Sequence, residues 1–158
     1  MTPISSARFR TLLGSFASGV TVVTTRVRDA AAGMTATAVA SVSLDPPLLL
    51  VCVDRDSDFH AAITRATAFA VNVLADDQER LSRQFADAAL PDRLTGVPHQ
   101  TDVHGLPLLD GAAAHIVCRL RETYDAGDHT IVVGEVVDGM TFPKAPLLHF
   151  RGGYRRLQ

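Results

Sequence analysis

The sequence has 158 residues, of which 47% are apolar and 20% charged, and its formal net charge is −2. This length predicts a single domain, residues 1–158, that can bury a core without disulfide or metal staples. The near-neutral charge argues against nucleic acid or an anionic membrane as a partner, and the lack of a signal peptide or a ~20-residue apolar run predicts a cytoplasmic protein.

The first half of the chain predicts one helix followed by three strands. Apolar side chains spaced along one helix face predict a helix that Gly19 ends; they are Phe9, Leu12, Leu13 and Phe16. The β-branched run GVTVVTTR predicts a strand, residues 28–33 a turn, and MTATAVASVSL one long second strand. Asp45-Pro46-Pro47 should end that strand, because proline cannot donate to a sheet ladder. LLLVCV, apolar on both faces, predicts a third and central strand.

The second half predicts two further helices and a long hairpin. A short helix is expected from Ser57 to Ala66, and AFAVNVL predicts a fourth strand. Asp76 followed by Glu79 is typical of a capping box that opens the helix DDQERLSRQFA. After a polar loop over 87–105, two long apolar segments joined at Gly127-Asp128 predict an antiparallel hairpin. LLHF and GYRRL predict the closing strands.

This element pattern favours a closed antiparallel sheet. A Rossmann fold needs a helix after almost every strand, and this chain offers six or more strands with three short helices. Closure into a barrel is the arrangement that removes exposed sheet edges. The fold class predicted is therefore mainly β, with a few short flanking helices.

Several motifs with a known chemistry are missing from the sequence. It contains no G-x-G-x-x-G, G-x-x-x-x-G-K-[ST], C-x-x-C, H-E-x-x-H or G-x-S-x-G. Hydrolase, kinase and zinc-enzyme interpretations are therefore weak, and no metal site is predicted. Cys52 and Cys118 lie in apolar runs and are expected to be buried free thiols. Chemistry carried by a bound organic cofactor remains open.

The most informative segment is GMTATAVASVSLDPP at 33–47. Its small side chains would let a flat ring lie close to the backbone, with peptide groups bonding the polar edge of the ring and hydroxyls a phosphate. Small residues equally suit a strand that packs tightly against a neighbouring subunit. Composition alone leaves both interpretations open.

Through this segment and several others, the chain resembles the short-chain flavin reductases. These proteins have an FMN-binding split β-barrel and are the reductase partners of two-component flavin monooxygenases. The resemblance covers nearly the whole chain in order. Its blocks are SGVTVVTT at 18–25, GMTATAVASVSLDPPLLLVCV at 33–53, FAVNVLADDQERLSRQFA at 69–86, GLPLLDGAAAHIVCRL at 105–120, GDHTIVVGEV at 127–136 and PLLHFRGGYRRL at 146–157. Two departures are His149, where many relatives carry Tyr, and Ala40, where a bulkier or polar residue is common.

The resemblance implies a Greek-key antiparallel barrel and an NAD(P)H-dependent flavin reductase. Hydride would pass from NADH, or NADPH, to FMN or FAD in a ping-pong or sequential reaction, and reduced flavin would reach a partner monooxygenase by diffusion. A symmetric homodimer is expected as well, because AAAHIVCRL and TIVVGEVV are more apolar than one covered sheet face requires.

The resemblance also implies the positions that bind the flavin. Thr35, Ala36, Thr37 and Ala38 would meet its ring and ribityl chain, and Ser41 and Val42 would add backbone contacts. Ser57 would bind the phosphate with Arg55 as charge partner, although a serine there can equally be a plain helix N-cap.

Two further positions have open roles. His129 follows a Gly-Asp turn and is assigned to the catalytic site, where it would contact the nicotinamide or the flavin edge without acting as an acid; the alternative is an exposed turn histidine. Tyr154, with Arg155, would help form the pocket, or would belong to a plain terminal strand. His60, His99, His104 and His115 have no assigned role.

Two rival functions share this fold prediction. One is a non-catalytic flavin-binding or flavin-carrying protein. The other is an oxidase of the pyridoxamine-phosphate type, whose substrate phosphate calls for clustered basic residues. The stretch from Met34 to Val53 has no Lys or Arg, which argues against that oxidase.

Overall fold

The computed structural model describes residues 2–157, and antiparallel β-structure dominates it. Three helices are found in this range: α1 (Ser6–Leu13), α2 (Asp58–Ile63) and α3 (Glu79–Ala86). The strands are β1 (Ser18–Gly19), β2 (Thr21–Val27), β3 (Ala30–Ala36), β4 (Val39–Leu44), β5 (Pro47–Asp54), β6 (Ala68–Val73), β7 (His99–Thr101), β8 (Pro107–Leu109), β9 (Ala114–Ala126), β10 (His129–Thr141), β11 (Leu148–Phe150) and β12 (Gly153–Arg155).

Seven strands form one sheet in the order β3-β2-β6-β9-β10-β5-β4. The two edge strands, β3 and β4, are consecutive in the chain and are joined only by Thr37 and Ala38. Two strands linked so closely can occupy opposite edges only if the sheet curls back on itself. The curled sheet is therefore an open barrel, whose gap in the hydrogen-bond ladder lies between β3 and β4.

The main core lies inside the curled sheet. Alternate residues of the strands point inward, and Val23, Val51, Phe69 and Val132 are fully buried there with Phe59 and Ile63 of α2. Phe59 and Ile63 lie four residues apart on α2, so one helix face covers the barrel interior. This packing places the start of α2 beside the end of β5, where the candidate site lies.

A second core holds α3 against the outside of β3. The ring of Phe85 is buried with Leu74 and Leu147, and a Cβ atom at Gly33 would lie 2.5 Å from a carbon of that ring. Only glycine lets the strand and the helix approach so closely. The prediction of a turn over 28–33 was therefore wrong, because Gly33 lies within β3 and serves packing; the turn is limited to Arg28 and Asp29.

The first half of the chain departs from three other sequence predictions. Helix α1 ends at Gly14, which caps it, and not at Gly19; Phe16 lies beyond the helix and is 76% exposed. The predicted single strand over MTATAVASVSL is divided at Thr37-Ala38. β5 is the second strand from an edge and is therefore not central.

In the second half of the chain, the predicted capping box at the start of α3 is wrong, whereas the predicted long hairpin is present. The N-cap of α3 is Gln78, whose side chain makes no capping hydrogen bond to the helix, and the Asp76 backbone N–H instead donates to the Ala145 carbonyl. That contact draws Asp76 away from the capping position. β9 and β10 form the predicted long antiparallel hairpin across Gly127.

Candidate functional site

The end of β5 and the start of β10 form one corner of the barrel. Asp54 and His129 are paired residues in the antiparallel ladder. The backbone N–H of Arg55 donates to the Asp128 carbonyl at 3.0 Å, which extends this pairing beyond the strands. The sheet register thus brings together the two segments that the sequence analysis assigned to phosphate and nicotinamide binding. We call Asp54–Ser57 together with Asp128 and His129 the corner.

Ser57 caps α2 in this structure. Its Oγ accepts a hydrogen bond from the His60 backbone N–H at 3.2 Å and donates to the Asp54 carbonyl at 2.7 Å. A hydroxyl oxygen can accept two hydrogen bonds, so one acceptor position remains and the donated proton can be redirected to a phosphate. Because α2 has only six residues, the argument for an anion rests on this hydroxyl and on the neighbouring guanidinium rather than on the helix.

Arg55 has a weak partner. Its guanidinium lies 3.4 Å from the Asp125 carboxylate, and the two side chains are 45% and 79% exposed. Exposed ion pairs of this kind contribute little to stability. The guanidinium can therefore exchange Asp125 for a ligand phosphate at small cost.

His129 is partly exposed and is oriented by its neighbour. Its Nδ1 lies 2.7 Å from Asp128 Oδ1, and this hydrogen bond lowers the pKa of the Asp128 carboxyl. An ionised carboxylate can only accept, so Nδ1 carries the hydrogen of this bond and Nε2 is left to face a ligand. Because the ring is 41% exposed, it can contact a ligand group at the corner.

The gap between β3 and β4 exposes the predicted flavin segment unevenly. Thr37, Ala38, Ser41 and Val42 are exposed, and Val42 forms a bulge where the pairing with β5 shifts. Ala36, by contrast, is 6% exposed and belongs to the core. Its contribution to a ligand is therefore limited to its backbone.

Thr35 and Tyr154 belong to a second polar cluster, which also includes Ser82 and Arg83. Thr35 Oγ1 donates to the Ser82 carbonyl at 2.7 Å, and the Ser82 and Tyr154 hydroxyls lie 2.8 Å apart. The Arg83 guanidinium lies 5.0 Å from the centre of the Tyr154 ring. The Tyr154 hydroxyl is thus bound within the protein, and Arg155 beside it is exposed. We call this group the Ser82 cluster.

Arg93 was missed by the sequence analysis, which placed it in a polar loop. Its side chain is only 10% exposed, and Nη1 lies 2.9 Å from Asp58 Oδ1 and 3.4 Å from the Gly33 carbonyl. Nε donates to the Asp87 carbonyl at 2.9 Å. Arg93 therefore connects α2, β3 and the 87–98 loop beside the candidate site. An arginine among prolines and glycines gave no signal of this role.

An apolar groove of about 630 Å³ lies between the β4–β5 and β9–β10 segments. Ser41 is one of its few polar lining residues. Its apolar lining includes Val39, Leu44, Leu48, Ile116, Val136 and Met140. Leu44 is 96% exposed and Met140 61% exposed, so much of this lining meets solvent in the single chain.

Within residues 2–157, no cluster of three or more His, Cys, Asp or Glu side chains is arranged to hold a metal ion. None of the helices found there has the length and hydropathy needed to cross a membrane. Cys52 and Cys118 are free; Cys118 is buried as predicted, whereas Cys52 is only partly buried. Burial raises the pKa of the Cys118 thiol to about 12.

The chain is similar to known proteins over nearly its whole length. A sequence model of the flavin reductase like domain matches residues 13–158. The NADH-dependent FAD reductase of Streptomyces globisporus is 40% identical over 159 residues, which cover 98% of this chain and 87% of the relative. Reductase subunit HsaB of a flavin-dependent monooxygenase from Rhodococcus jostii (strain RHA1) is 38% identical over 156 residues, covering 98% and 80%.

A solved structure extends this similarity to the fold. The NADH:FAD oxidoreductase SgcE6 of Streptomyces globisporus C-1027, in complex with NAD and FAD fragments, matches with a TM-score of 0.94 at 39% identity. The match covers 100% of this chain and 96% of that chain.

The curled antiparallel sheet with its open edge at Thr37 defines the class of split-barrel flavin enzymes. Within that class, the chain belongs to the flavin reductase-like family. The predicted family, fold class and NAD(P)H:flavin oxidoreductase activity are confirmed, as is the use of flavin and NADH. These relatives give no support to the alternative of a non-catalytic carrier.

Proposed function

We propose that this flavin reductase binds its two cofactors at the corner, with Ser57 and Arg55 on the flavin phosphate and His129 on the nicotinamide side. One observation carries the proposal: the register of β5 and β10 pairs Asp54 with His129, so both groups lie at one edge of the barrel. Residues distant in the sequence thereby form a single site.

The residues present fit a flavin. Thr37 and Ala38 are exposed and have small side chains, so a flat ring can approach the backbone at the gap between β3 and β4. Ser41 and Val42 continue this exposed edge. Thr35 and Ala36 contribute through their backbone, because their side chains face α3 and the core. We also propose that the Tyr154 ring forms one wall, with its hydroxyl held by Ser82.

A bound flavin would supply the two-electron chemistry, as the acceptor of a hydride from the reduced nicotinamide. The protein's task is to position the two rings, since a transfer of this type depends on close approach and alignment. The His129 ring, which is hydrogen-bonded to Asp128, orders the nicotinamide and needs no acid role. Ser57 and Arg55 would hold the flavin at its charged end.

We propose that the protein is a symmetric homodimer whose interface includes the apolar groove. Exposed Leu44 and Met140 support this, because apolar side chains of this size gain by leaving water. Ser41 lies on both the groove and the flavin edge, so a second copy would cover the site from that side. Light scattering that gives a stable monomer of 16.9 kDa at micromolar concentration would contradict the dimer.

We further propose that reduced flavin leaves by diffusion for a separate monooxygenase. The relative HsaB, a reductase subunit of such an enzyme, supports this. A cytoplasmic location is proposed from the two free thiols, which suit a reducing compartment. Residues 1–158 are proposed to form one domain.

The decisive experiment follows NADH absorbance with purified protein and either FMN or FAD. We expect NADH to be consumed only when a flavin is added, and a parallel NADPH series gives the nucleotide preference. Flavin binding without NADH consumption would contradict the catalytic proposal. Fluorescence titration with FMN and with riboflavin then tests the phosphate assignment, because riboflavin lacks the group that Ser57 and Arg55 are proposed to bind.

A further inference from the structure

We propose that His60 is a positioning residue that fixes the distance between Ser57 and His129. The proposal rests on the cofactor roles given above for those two residues. His60 lies in the first turn of α2 and is not proposed to touch either cofactor. It acts instead through the two residues that do.

Two contacts of His60 carry the inference. Its backbone N–H donates to Ser57 Oγ at 3.2 Å, and its ring Nε2 lies 2.9 Å from Thr130 Oγ1. Thr130 is 3% exposed and directly follows His129 in β10. One residue therefore contacts the phosphate-binding hydroxyl with its backbone and the strand that carries His129 with its side chain.

The link through His60 complements a second link through the backbone. The Ser57 backbone N–H donates to the Asp54 carbonyl at 3.2 Å, and Asp54 pairs with His129 in the ladder. Thr130 in turn pairs with Val53, the residue before Asp54. Together the two links close a ring of contacts around the corner, so the backbone at Ser57 and at His129 cannot shift without breaking one of them.

A space-filling role would not require this polar contact. The Thr130 side chain is buried, and a buried hydroxyl needs a partner; within residues 2–157, buried side-chain nitrogen and oxygen atoms all have one. The apolar face of α2 is already supplied by Phe59 and Ile63. The imidazole ring thus adds a directional tie between helix and strand, which apolar packing does not provide.

The test uses three variants and two measurements. His60→Leu removes the ring nitrogen, Thr130→Val removes the hydroxyl at nearly constant shape, and His60→Gln keeps a polar atom near the position of Nε2. The first measurement is the ratio of the riboflavin and FMN dissociation constants, which reports the phosphate contact. The second is kcat/KM for NADH, which reports the nicotinamide contact.

We expect His60→Leu and Thr130→Val each to lower both quantities by about three- to tenfold, the worth of one directional hydrogen bond. The double variant should be no worse than either single one, because both remove the same bond. His60→Gln should recover most of the loss. The matched control is His104→Leu, an exposed histidine in the 102–105 turn, which should change neither quantity.

An unchanged ratio and unchanged NADH kinetics in a folded His60→Leu protein would overturn the proposal, even if its melting temperature fell. Equal weakening of riboflavin and FMN would also overturn it. If His60→Leu fails to fold, Thr130→Val carries the test. Failure of the proposed cofactor roles has a different signature, since the wild type would then bind riboflavin as tightly as FMN and His129→Ala would leave kcat/KM for NADH unchanged.

Discussion

The corner and the Ser82 cluster are both polar, but they use their polar groups differently. At the corner, Ser57 keeps an acceptor position, Arg55 holds only an exposed partner at 3.4 Å, and His129 is 41% exposed. In the Ser82 cluster, Ser82 is fully buried and its hydroxyl is bound to Tyr154. Polar side chains can thus still accept a ligand at the corner, whereas those of the Ser82 cluster are already hydrogen-bonded within the protein.

This difference separates binding from positioning. A group that remains exposed and loosely paired can exchange its partner for a ligand at little cost. A buried group that is already bonded would leave an unsatisfied partner behind if it moved. We therefore expect changes at the corner to alter cofactor binding and turnover, and changes around α3 to alter stability.

The largest stability effect is expected from Gly33→Ala in the packing beside the Ser82 cluster. The added methyl would meet the buried Phe85 ring at 2.5 Å, and overpacking of this kind costs about 1–3 kcal/mol. Denaturant unfolding measures the loss. The control is Gly19→Ala, whose added carbon would meet nothing within 4 Å; equal stability of the two variants would contradict the close packing of α3 on β3.

At the corner, His129→Ala should lower kcat/KM for NADH by about ten- to a hundredfold, or roughly 1.4–2.7 kcal/mol. Flavin affinity should change much less, because the flavin contacts lie on other segments. Steady-state kinetics and fluorescence titration on the same protein separate the two effects. Unaltered kinetics would make His129 an ordinary turn residue, whereas equal losses would make it a flavin ligand. His99→Ala, a change at another exposed histidine, is the control.

Ser57→Ala should weaken flavin binding by roughly 1–2 kcal/mol, the worth of a hydrogen bond to a charged group. Ser57→Gly separates this from the loss of the helix cap, because glycine caps nearly as well as serine but lacks the hydroxyl. Ser5→Ala removes the corresponding cap of α1, far along the chain. An unchanged FMN dissociation constant in Ser57→Gly would limit Ser57 to capping.

Tyr154→Phe tests the Ser82 cluster with a smaller expected loss of stability than Gly33→Ala. The variant keeps the ring but leaves the buried Ser82 hydroxyl without its partner, so stability should fall by about 1 kcal/mol. Flavin affinity should stay within about twofold. Tyr124→Phe, which removes an exposed hydroxyl bound to Glu122, is the matched control. A large loss of flavin affinity in Tyr154→Phe alone would assign the hydroxyl to the cofactor.

The smallest effect is a pH dependence at the corner. The hydrogen bond from His129 lowers the pKa of Asp128 in the folded protein. A lowered pKa means that the contact stabilises the fold above the unfolded value of about 3.9 and that this contribution is lost as the pH falls through the folded value. Asp128→Asn should therefore reduce the pH dependence of the melting temperature only below about pH 4. A difference in melting temperature between variant and wild type that is confined to pH 5–8 would contradict the assignment.

The fold class and much of the strand pattern follow from local signals. The long apolar segments on either side of Gly127 predicted the β9–β10 hairpin. This prediction succeeds because the strand pattern and the turn residue depend only on residues that are close in the sequence. Local signals failed where a distant partner intervened. Phe85 packs against Gly33 and makes it a strand residue, and Ala145 holds Asp76 away from the helix cap.

The candidate site divides in the same way. The sequence by itself determined the family, the small-residue segment at 33–47 and the individual candidates Ser57 and His129, because these are properties of residue type and order. The tertiary structure alone decided that Ser57 and His129 share one corner, that Ala36 is a core residue, that Arg93 lies beside the site and that His60 contacts it. Such contacts join residues tens of positions apart, as His60 and Thr130 are, and depend on sheet register and helix packing that no local pattern encodes.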